Sequence, residues 1–414
     1  MLSGWRRAVR IGVALTGVLG PMIGVTATSA AAAPKASFTT VASGFDNPRG
    51  LAFGKEGRLF VAEAGKGGPT CLPGGPEGGS ICPGLTSAIS VITEGGAHHR
   101  IVSGLASVSD QGGFFATGAD GLSRDGDGGL STIMTSCPQQ VDTFPAGADP
   151  SVLAKVKAQA GRVIKLEDDG QFETAAGVGA FDWEWSLSHK DLVPGQFPDC
   201  NPYGILAGEH DQWVVDAATN TLDHVTSDGK IEIVAFFPNP PASDAVPTCL
   251  DRGPDGALYI GELSGGGNLP GASRVWRVDT RKEHPTPTVW ASGLTAVTGC
   301  GFANGDFYAT EFSTLGLDNA APGTGAVVRV PAHSKSPIVV ADGLSFPNGF
   351  AANDDDIYVS NWSVSPAVIP PAGPPFKPGE VVRIRINHED HEHHGDHGDH
   401  RDHRDHGDHD ADDD

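Results

Sequence analysis

The stretch SGFDNPRGLAFGKEGRLFVAEAG, Ser43–Gly65, decides the fold, because its pattern returns along the chain. It holds a Pro-x-Gly triplet, an apolar pair, a polar turn with glycine, and an apolar run that closes on an acid and a glycine. Turn residues between two apolar runs are typical of a β-hairpin. We therefore predict that each copy forms two adjacent antiparallel strands.

Five further copies follow, the first of them degenerate. They are Ser103–Ser136, Asn201–Thr219, Val246–Gly265, Ser292–Ser313 and Asp342–Ser363. After the hairpin come two more strand-like runs, such as GAVVRV (325–330) and PIVVAD (337–342). Four short strands per unit of about 45–50 residues indicate a propeller. The hairpins begin near residues 48, 118, 202, 247, 298 and 347, so we predict an all-β fold, a six-bladed β-propeller with four-stranded blades.

The two long spacings lie early in the chain and contain the insertions Cys137–Ala160 and Phe181–Cys200. We expect both on one rim of the propeller. In the first, Asp149 and Pro150 are typical of a helix start and Gly161 of a helix end, so we predict a short helix. The second contains FDWEWSLSHKD, residues 181–191, which either forms an exposed aromatic binding surface or packs on its own blade.

Both ends of the chain differ from the repeats. Residues 1–33 read as a signal peptide: Arg6, Arg7 and Arg10 precede an apolar stretch, Ile11–Val25, and a run of small residues. We expect the propeller to span residues 34–387, followed by a disordered His/Asp-rich tail over 388–414. Because no second apolar segment follows the leader, we expect a secreted, extracellular protein without a membrane anchor.

All six cysteines follow the leader, which fits an oxidising compartment. Cys71 and Cys82 flank a Gly/Pro-rich loop that a disulfide would close. Six cysteines allow 15 pairings. For the other four, Cys137–Cys200 and Cys249–Cys300 are our choice among pairings that the sequence leaves open.

Formal net charge is −23, which disfavours nucleic acid as a partner. Residues 388–414 hold twelve acids and two arginines, so the tail carries much of the charge. The acidity either serves solubility or binds divalent cations.

The tail alternates histidine with aspartate in triplets. Imidazole suits Zn, Ni or Cu, and neighbouring carboxylates add charge. The predicted ligands are His394, His397, His400, His403, His406 and His409. A plain solubilising tail is the alternative.

Three segments carry a resemblance to a known family: NPRGLAFGKEGRLFVAEAG, CLPGGPEGGSIC and DCNPYGILA with WVVDAATNTL. Together they resemble the ScyD/ScyE-type secreted propellers, over about Phe38–Ile386. That family is similar in architecture to NHL-repeat and gluconolactonase-like propellers. The resemblance implies a secreted propeller and no particular reaction, and the His/Asp tail departs from it.

The hairpins end in a recurrent polar series, which we expect near the central channel. Its members are Glu63, Asp216, Glu262, Glu311 and Asn361. Carboxylates and amides are ligands that Ca²⁺ prefers. Asn348 joins them, because Phe346–Gly349 looks like the Pro-Asn-Gly motif of gluconolactonase-type propellers, in which the Asn binds metal. The alternative is that each acid accepts backbone N–H groups in its own turn.

Three functions follow from these residues. We favour a non-catalytic, monomeric binding or scaffold module with divalent-cation affinity and an unknown extracellular ligand, and we assign no catalytic residue. A Ca-dependent lactonase or esterase is the alternative. A quinone-dependent sugar dehydrogenase is less favoured, because outside the tail no histidine lies at a strand end to act as base.

Overall fold

The fold is described from a computed structural model, over residues 37–74, 79–167, 170–208, 210–238, 244–265 and 269–386. The expected signal peptide, residues 1–33, and the expected tail, residues 388–414, lie outside these ranges. Within them, the strands form six antiparallel sheets, which we call blades I to VI. No helix in the described part of the chain is long and apolar enough to cross a membrane.

The strands follow the chain from blade to blade. They are β1 (Phe38–Phe45), which joins blade VI; β2 (Pro48–Phe53), β3 (Leu59–Glu63), β4 (Leu72–Pro73), β5 (Ser80–Ile92) and β6 (His98–Ser109) in blade I; β7 (Ala119–Arg124), β8 (Leu130–Met134), β9 (Val163–Leu166) and β10 (Phe172–Thr174) in blade II; β11 (Pro202–Ala207), β12 (Gln212–Asp216), β13 (Thr221–Val225) and β14 (Ile231–Phe236) in blade III; β15 (Pro247–Arg252), β16 (Leu258–Glu262), β17 (Ser273–Val278) and β18 (Thr288–Leu294) in blade IV; β19 (Val297–Ala303), β20 (Asp306–Glu311), β21 (Gly325–Val330) and β22 (Ile338–Leu344) in blade V; and β23 (Phe350–Ala352), β24 (Asp356–Asn361) and β25 (Gly379–Arg385) in blade VI.

The six-bladed propeller predicted from the repeats is confirmed. The first strand of each blade, β2, β7, β11, β15, β19 and β23, lines the central channel. These strands begin within three residues of the predicted positions. Blade VI takes its outermost strand from the other end of the sequence, because β1 pairs with β25 at Phe38 and Ile384.

Each inner strand carries the repeated Pro-x-Gly motif or a variant of it, and the glycine allows the next inner strand to approach. A side chain at Gly299 would collide with the carbonyl oxygen of Asn348, and one at Gly349 with that of Arg49. The same close approach occurs at Gly50, Gly121 and Gly204. Blade IV has Cys249 at this position, and its disulfide to Cys300 joins blades IV and V.

The apolar core lies in layers between neighbouring blades. Between blades IV and V, for example, Tyr259 and Val275 pack with Phe307 and Val328. Similar layers join the other neighbours around the ring. Because burial of apolar side chains drives association of the sheets, the blades hold one another in place around the channel.

The two insertions extend from the same face of the propeller, as expected. One insertion follows the end of β8, where Met134 pairs with Ala119 at the start of the inner strand β7. The other precedes the start of the inner strand β11, at Pro202. Both therefore leave the propeller at the face where the inner strands begin. The insertions form helices α1 (Pro138–Val141), α2 (Pro150–Gln159) and α3 (Val178–Ser188).

The predicted helix is α2, and the Asp149 carboxylate caps it by accepting a hydrogen bond from the Ser151 backbone N–H at 2.8 Å. The aromatic segment 181–191 lies largely in α3. There Trp185 packs against Phe236 of blade III with ring centroids 6.0 Å apart. For this tryptophan the contact favours packing on a blade over an exposed binding surface.

All three predicted disulfides are present: Cys71–Cys82, Cys137–Cys200 and Cys249–Cys300. The first ties the short strand β4 to the start of β5. The second joins α1 to the segment that leads into blade III. Disulfides reduce the conformational entropy of the unfolded chain, so these bonds stabilise the insertions as well as the blades.

Candidate binding site in the central channel

Six buried side chains, one from each blade, occupy equivalent positions at the start of the inner strands; five of them line the channel cavity, and Arg49 lies beside one of these, Asp120. Each occupies the middle position of the Pro-x-Gly motif or its variant, immediately before the position of the glycine. We call this set the channel ring: Arg49, Asp120, Tyr203, Thr248, Thr298 and Asn348. All six are buried. A cavity of about 340 Å³ extends from the ring along the inner strands toward their C-terminal ends.

Arg49 and Asp120 form the charged part of the channel ring. The Arg49 Nη2 group donates to the Ala116 carbonyl oxygen at 2.8 Å. Its Nε lies 3.8 Å from Asp120 Oδ2 and is buried without a hydrogen-bond partner. A buried donor of this kind carries a desolvation cost that a bound acceptor would remove.

Burial raises the pKa of Asp120 to about 7, and the opposing effect of the Arg49 charge is smaller. The carboxyl therefore changes its protonation state near neutral pH. Around that pH the ring can present either a neutral acid beside a cation or an ion pair. This arrangement suits a small polar ligand that both donates and accepts hydrogen bonds.

The other ring members bond mainly to one another or to the next blade. Asn348 Nδ2 donates to the Tyr203 hydroxyl at 2.8 Å. Thr248 donates to the carbonyl oxygen of Val297, and Thr298 donates to that of Pro347, each at 2.8 Å. These bonds tie neighbouring inner strands together and orient the ring.

The strand-end series lies elsewhere. Glu63, Asp216, Glu262, Glu311 and Asn361 end the second strand of their blades, and none of them lines the channel cavity, whereas Asn348 does. We expected these strand-end residues near the central channel. The structure places them behind the channel wall, because the second strand of each blade carries them and the inner strand lies between them and the cavity.

Four of the five strand-end side chains, Asp216 of blade III among them, accept a backbone N–H group of the loop that leads into their own blade. Glu63 accepts from Asp46 N at 2.7 Å, and Glu311 accepts from Thr295 N at 2.8 Å. Asn361 accepts from Ser345 N at 2.7 Å. This pattern favours the alternative in which the series closes each blade.

Charged partners complete two of these sites. The Arg100 guanidinium donates to both oxygens of Glu63 and to Asp46. In blade IV, Glu262 accepts from Arg274 and from the Trp276 indole N–H, each at 2.6 Å. Burial raises the pKa of Glu262 despite these donors, and it raises the pKa of Glu311 to about 7.

Blade III is different, because its strand-end Asp216 lies close to two further buried carboxyls. Asp216 accepts from the backbone N–H groups of Asn201, Ala218 and Thr219. Asp182 of α3 and Asp223 of β13 lie beside it, fully buried, and neither oxygen of Asp182 has a hydrogen-bond donor. Burial raises the pKa of Asp182 and Asp223 well above the usual range, and the neighbouring carboxylates add to the rise.

Metal binding stays a prediction. Among the residues that the structure describes, no group of three or more His, Cys, Asp or Glu side chains is arranged to hold a metal ion. The tail ligands His394, His397, His400, His403, His406 and His409 lie outside the described residues.

Sequence reasoning missed Asp120, Asp182 and Asp223. Asp120 could have been found, since Ala119-Asp120-Gly121 takes the place of Pro-x-Gly in the degenerate copy. For Asp182 no such signal exists, because its insertion brings it into blade III only through tertiary packing.

No protein-family model and no curated protein matches the chain. Among solved structures it is similar to a gluconolactonase from Xanthomonas campestris, at 9% identity over 85% of this chain and 90% of that chain, with a TM-score of 0.51. It is also similar to virginiamycin B lyase from Staphylococcus aureus, at 13% identity over 85% of this chain and 99% of that chain, with a TM-score of 0.45. Identities this low show a shared propeller fold alone.

Proposed function

We propose that the protein is a secreted, monomeric propeller of the ScyD/ScyE type that binds a small polar extracellular ligand in its channel without converting it. The observation that carries this proposal is the buried Asp120 carboxyl, which lines the channel cavity with the unpartnered Arg49 Nε 3.8 Å behind it. The ring holds no histidine or cysteine, so the carboxyl of Asp120 is the group in it that could act as a general base near neutral pH. Three disulfides and the expected leader support secretion.

Divalent-cation affinity belongs to the same proposal. The six predicted ligands among the nine tail histidines would hold Zn, Ni or Cu reversibly, because imidazole nitrogens at short spacing chelate these ions. A calcium ion in the channel is not part of this proposal. The strand-end acids that would supply its oxygen ligands already accept hydrogen bonds within their own blades.

A Ca-dependent lactonase or esterase is the second candidate, favoured by one observation. Asn348 and Asp120 both line the channel cavity, so an amide and a carboxyl group, two kinds of ligand that Ca²⁺ prefers, face the same space. The matched solved gluconolactonase agrees with this candidate in fold alone. A sugar dehydrogenase is less favoured, since His98 and His99 lie on the outermost strand of blade I, away from the channel.

One experiment separates binding from hydrolysis. The full-length protein, with all nine histidines of the tail changed to Gln, is assayed with glucono-δ-lactone and p-nitrophenyl acetate in calcium and in chelator. We expect no calcium-dependent turnover and no tightly held calcium. Turnover that chelator abolishes, and that Asn348→Ala removes, would replace the binding module by the hydrolase.

Thermal unfolding with D-gluconate as probe tests the polar site directly. Binding to the folded state raises the melting temperature with probe concentration. We expect that rise in the wild type and in Arg277→Met, a change on β17 that does not line the channel cavity, and its loss in Arg49→Met. A wild type that shows no rise would contradict recognition of hydroxy acids by the channel ring.

A further inference from the structure

A second cavity, of about 510 Å³, lies away from the channel. Its walls are the start of β5, the end of β6 and the segment after it in blade I, and helices α1 and α2 inserted into blade II. This volume falls within the range of about 300–1,000 Å³ that small-molecule sites occupy.

Apolar side chains from each wall meet in this cavity. They are Ile81, Val108, Phe115, Met134, Val141, Phe144 and Val156. Cavities with such walls stay dry and gain free energy when an apolar molecule fills them. The composition of the wall therefore selects apolar ligands.

The polar groups in the wall are already engaged within the protein. The Thr117 hydroxyl donates to the Val108 carbonyl oxygen, and the Thr135 hydroxyl bonds to Gly118. Gln140 Nε2 donates to Asp199, and its Oε1 accepts from Cys137 N. A ligand gains little by offering charge or several hydrogen bonds here.

Among the described residues of the wall, Asp110 is the charged one, and its carboxylate accepts a hydrogen bond from Phe114 N at 2.9 Å. Most of the remaining side chains in the wall are apolar, and moving a charge from water into such surroundings is costly. Organic anions are therefore disfavoured as ligands of this cavity.

Two features hold the walls in position. The Cys71–Cys82 disulfide fixes the start of β5, and Cys137–Cys200 fixes the start of α1. Phe115 lies in the left-handed region, with φ of 52°, and its ring is 38% exposed. Such a conformation is costly for a bulky residue and persists where its surroundings impose it, often at functional sites. Its backbone N–H donates to Val364 of blade VI at 3.0 Å.

From these observations we propose that the cavity between blade I and helices α1 and α2 binds an uncharged, largely apolar small molecule. The site is separate from the channel ring and does not depend on what the channel binds. Phe115 forms an aromatic part of its wall that a planar ligand can contact.

N-phenyl-1-naphthylamine is a suitable probe, because it is uncharged and its fluorescence increases in apolar surroundings. Titration of the full-length protein should show saturable binding of one probe per chain, insensitive to salt. The sulfonated analogue, 8-anilino-1-naphthalenesulfonate, carries the same rings with a negative charge and should bind at least about tenfold more weakly, because the apolar wall does not solvate its charge.

Thr143→Trp is the blocking variant, since Thr143 lines the cavity and is exposed, so the fold should tolerate the larger ring. It should weaken probe binding at least about tenfold, a change of about 1.4 kcal/mol. Val368→Trp adds the same ring at a residue that is 75% exposed and outside the cavity, and it should leave binding unchanged. Phe115→Ser, an independent change in the wall, should also weaken binding.

Three results would each overturn the proposal. They are the absence of saturable binding, equal affinities in wild type, Thr143→Trp and Phe115→Ser, and tighter binding of the sulfonated analogue. An unchanged melting temperature for each variant establishes that a loss of binding reflects the cavity.

Discussion

Blades I and III place an acid at the same position of the sheet and surround it with opposite chemistry. Glu63 pairs with Pro48 on the inner strand, and Asp216 pairs likewise with Pro202. In blade I the Arg100 guanidinium neutralises Glu63. In blade III the acid meets two more acids and no cation among its described hydrogen-bond partners.

The third strand shows the difference at a single position. Ser90 of blade I and Asp223 of blade III both lie two residues past the partner of the strand-end acid. Ser90 donates a hydroxyl hydrogen to Glu63, whereas Asp223 can donate only when it is protonated. A buried strand-end acid can therefore be neutralised either by an arginine, as in blade I, or by protonation of neighbouring carboxyls, as in blade III. The stability of the first arrangement is insensitive to mild changes of pH, and that of the second is not.

The largest change in stability should come from removal of the arginine that neutralises the buried acids of blade I. Arg100→Met leaves the buried carboxylate of Glu63 without a cation, while Asp46 keeps Lys66 at 3.8 Å, and we expect a loss of about 2 kcal/mol in the free energy of unfolding. The loss is smaller than for a fully buried pair, because the Arg100 side chain is 38% exposed and solvent screens it. Urea unfolding measures it.

Arg277→Met provides the matched control, since Arg277 pairs with the exposed carboxylate of Asp255. That pair should contribute less than about 1 kcal/mol. If both variants lose equal stability, the buried acids of blade I do not depend on Arg100.

Removing one acid from blade III should have the opposite sign. Asp182→Asn keeps the shape of the side chain and removes a buried carboxyl whose pKa is raised in the folded protein. In the wild type, the folded state holds a proton on this carboxyl that the unfolded state releases. The free energy of unfolding of the wild type therefore falls as pH rises above the unfolded pKa of about 3.9. The variant should gain about 1–2 kcal/mol over wild type at about pH 8, and little at about pH 4.

Thermal unfolding across this pH range measures the gain. A constant difference between Asp182→Asn and wild type at every pH would show that ionisation of Asp182 does not limit stability. The channel carboxyl of Asp120 is left intact and serves as the common background.

The smallest effect should come from giving blade III the residue of blade I. Asp223→Ser removes one acid but leaves space, and the lost packing offsets part of the electrostatic gain. We expect a net change below about 1 kcal/mol and a shallower fall of stability with rising pH. An unchanged fall would assign the pH dependence to Asp182 and Asp216 alone.

The sequence predicts the blades well because their signals are local and periodic. Pro-x-Gly and the polar turns recur within each copy, and each inner strand begins where its own copy predicts. The strand-end series was visible for the same reason. What the repeat could not reveal is the depth of each strand, and therefore which side chain faces the channel.

The candidate site could not be predicted from the sequence, because its residues come together only in the folded protein. Arg49 and Asp120 are 71 positions apart in the sequence and meet only when blades I and II adjoin. Asp182 belongs to an insertion outside the repeat, so no periodic position marks it. The apolar cavity is likewise formed by helices, a loop and two blades, whose side chains share no pattern.

The pairing of β1 with β25 has a consequence for the order in which the molecule is completed. The Thr40 hydroxyl bonds to Glu380, 340 residues further along. During folding the earliest described strand stays unpaired until the last one is in place. The ring cannot close before then, and the exposed edges of an unfinished ring are templates for pairing with other chains. The pairing of β1 with β25 therefore removes the edges at which such contacts would form.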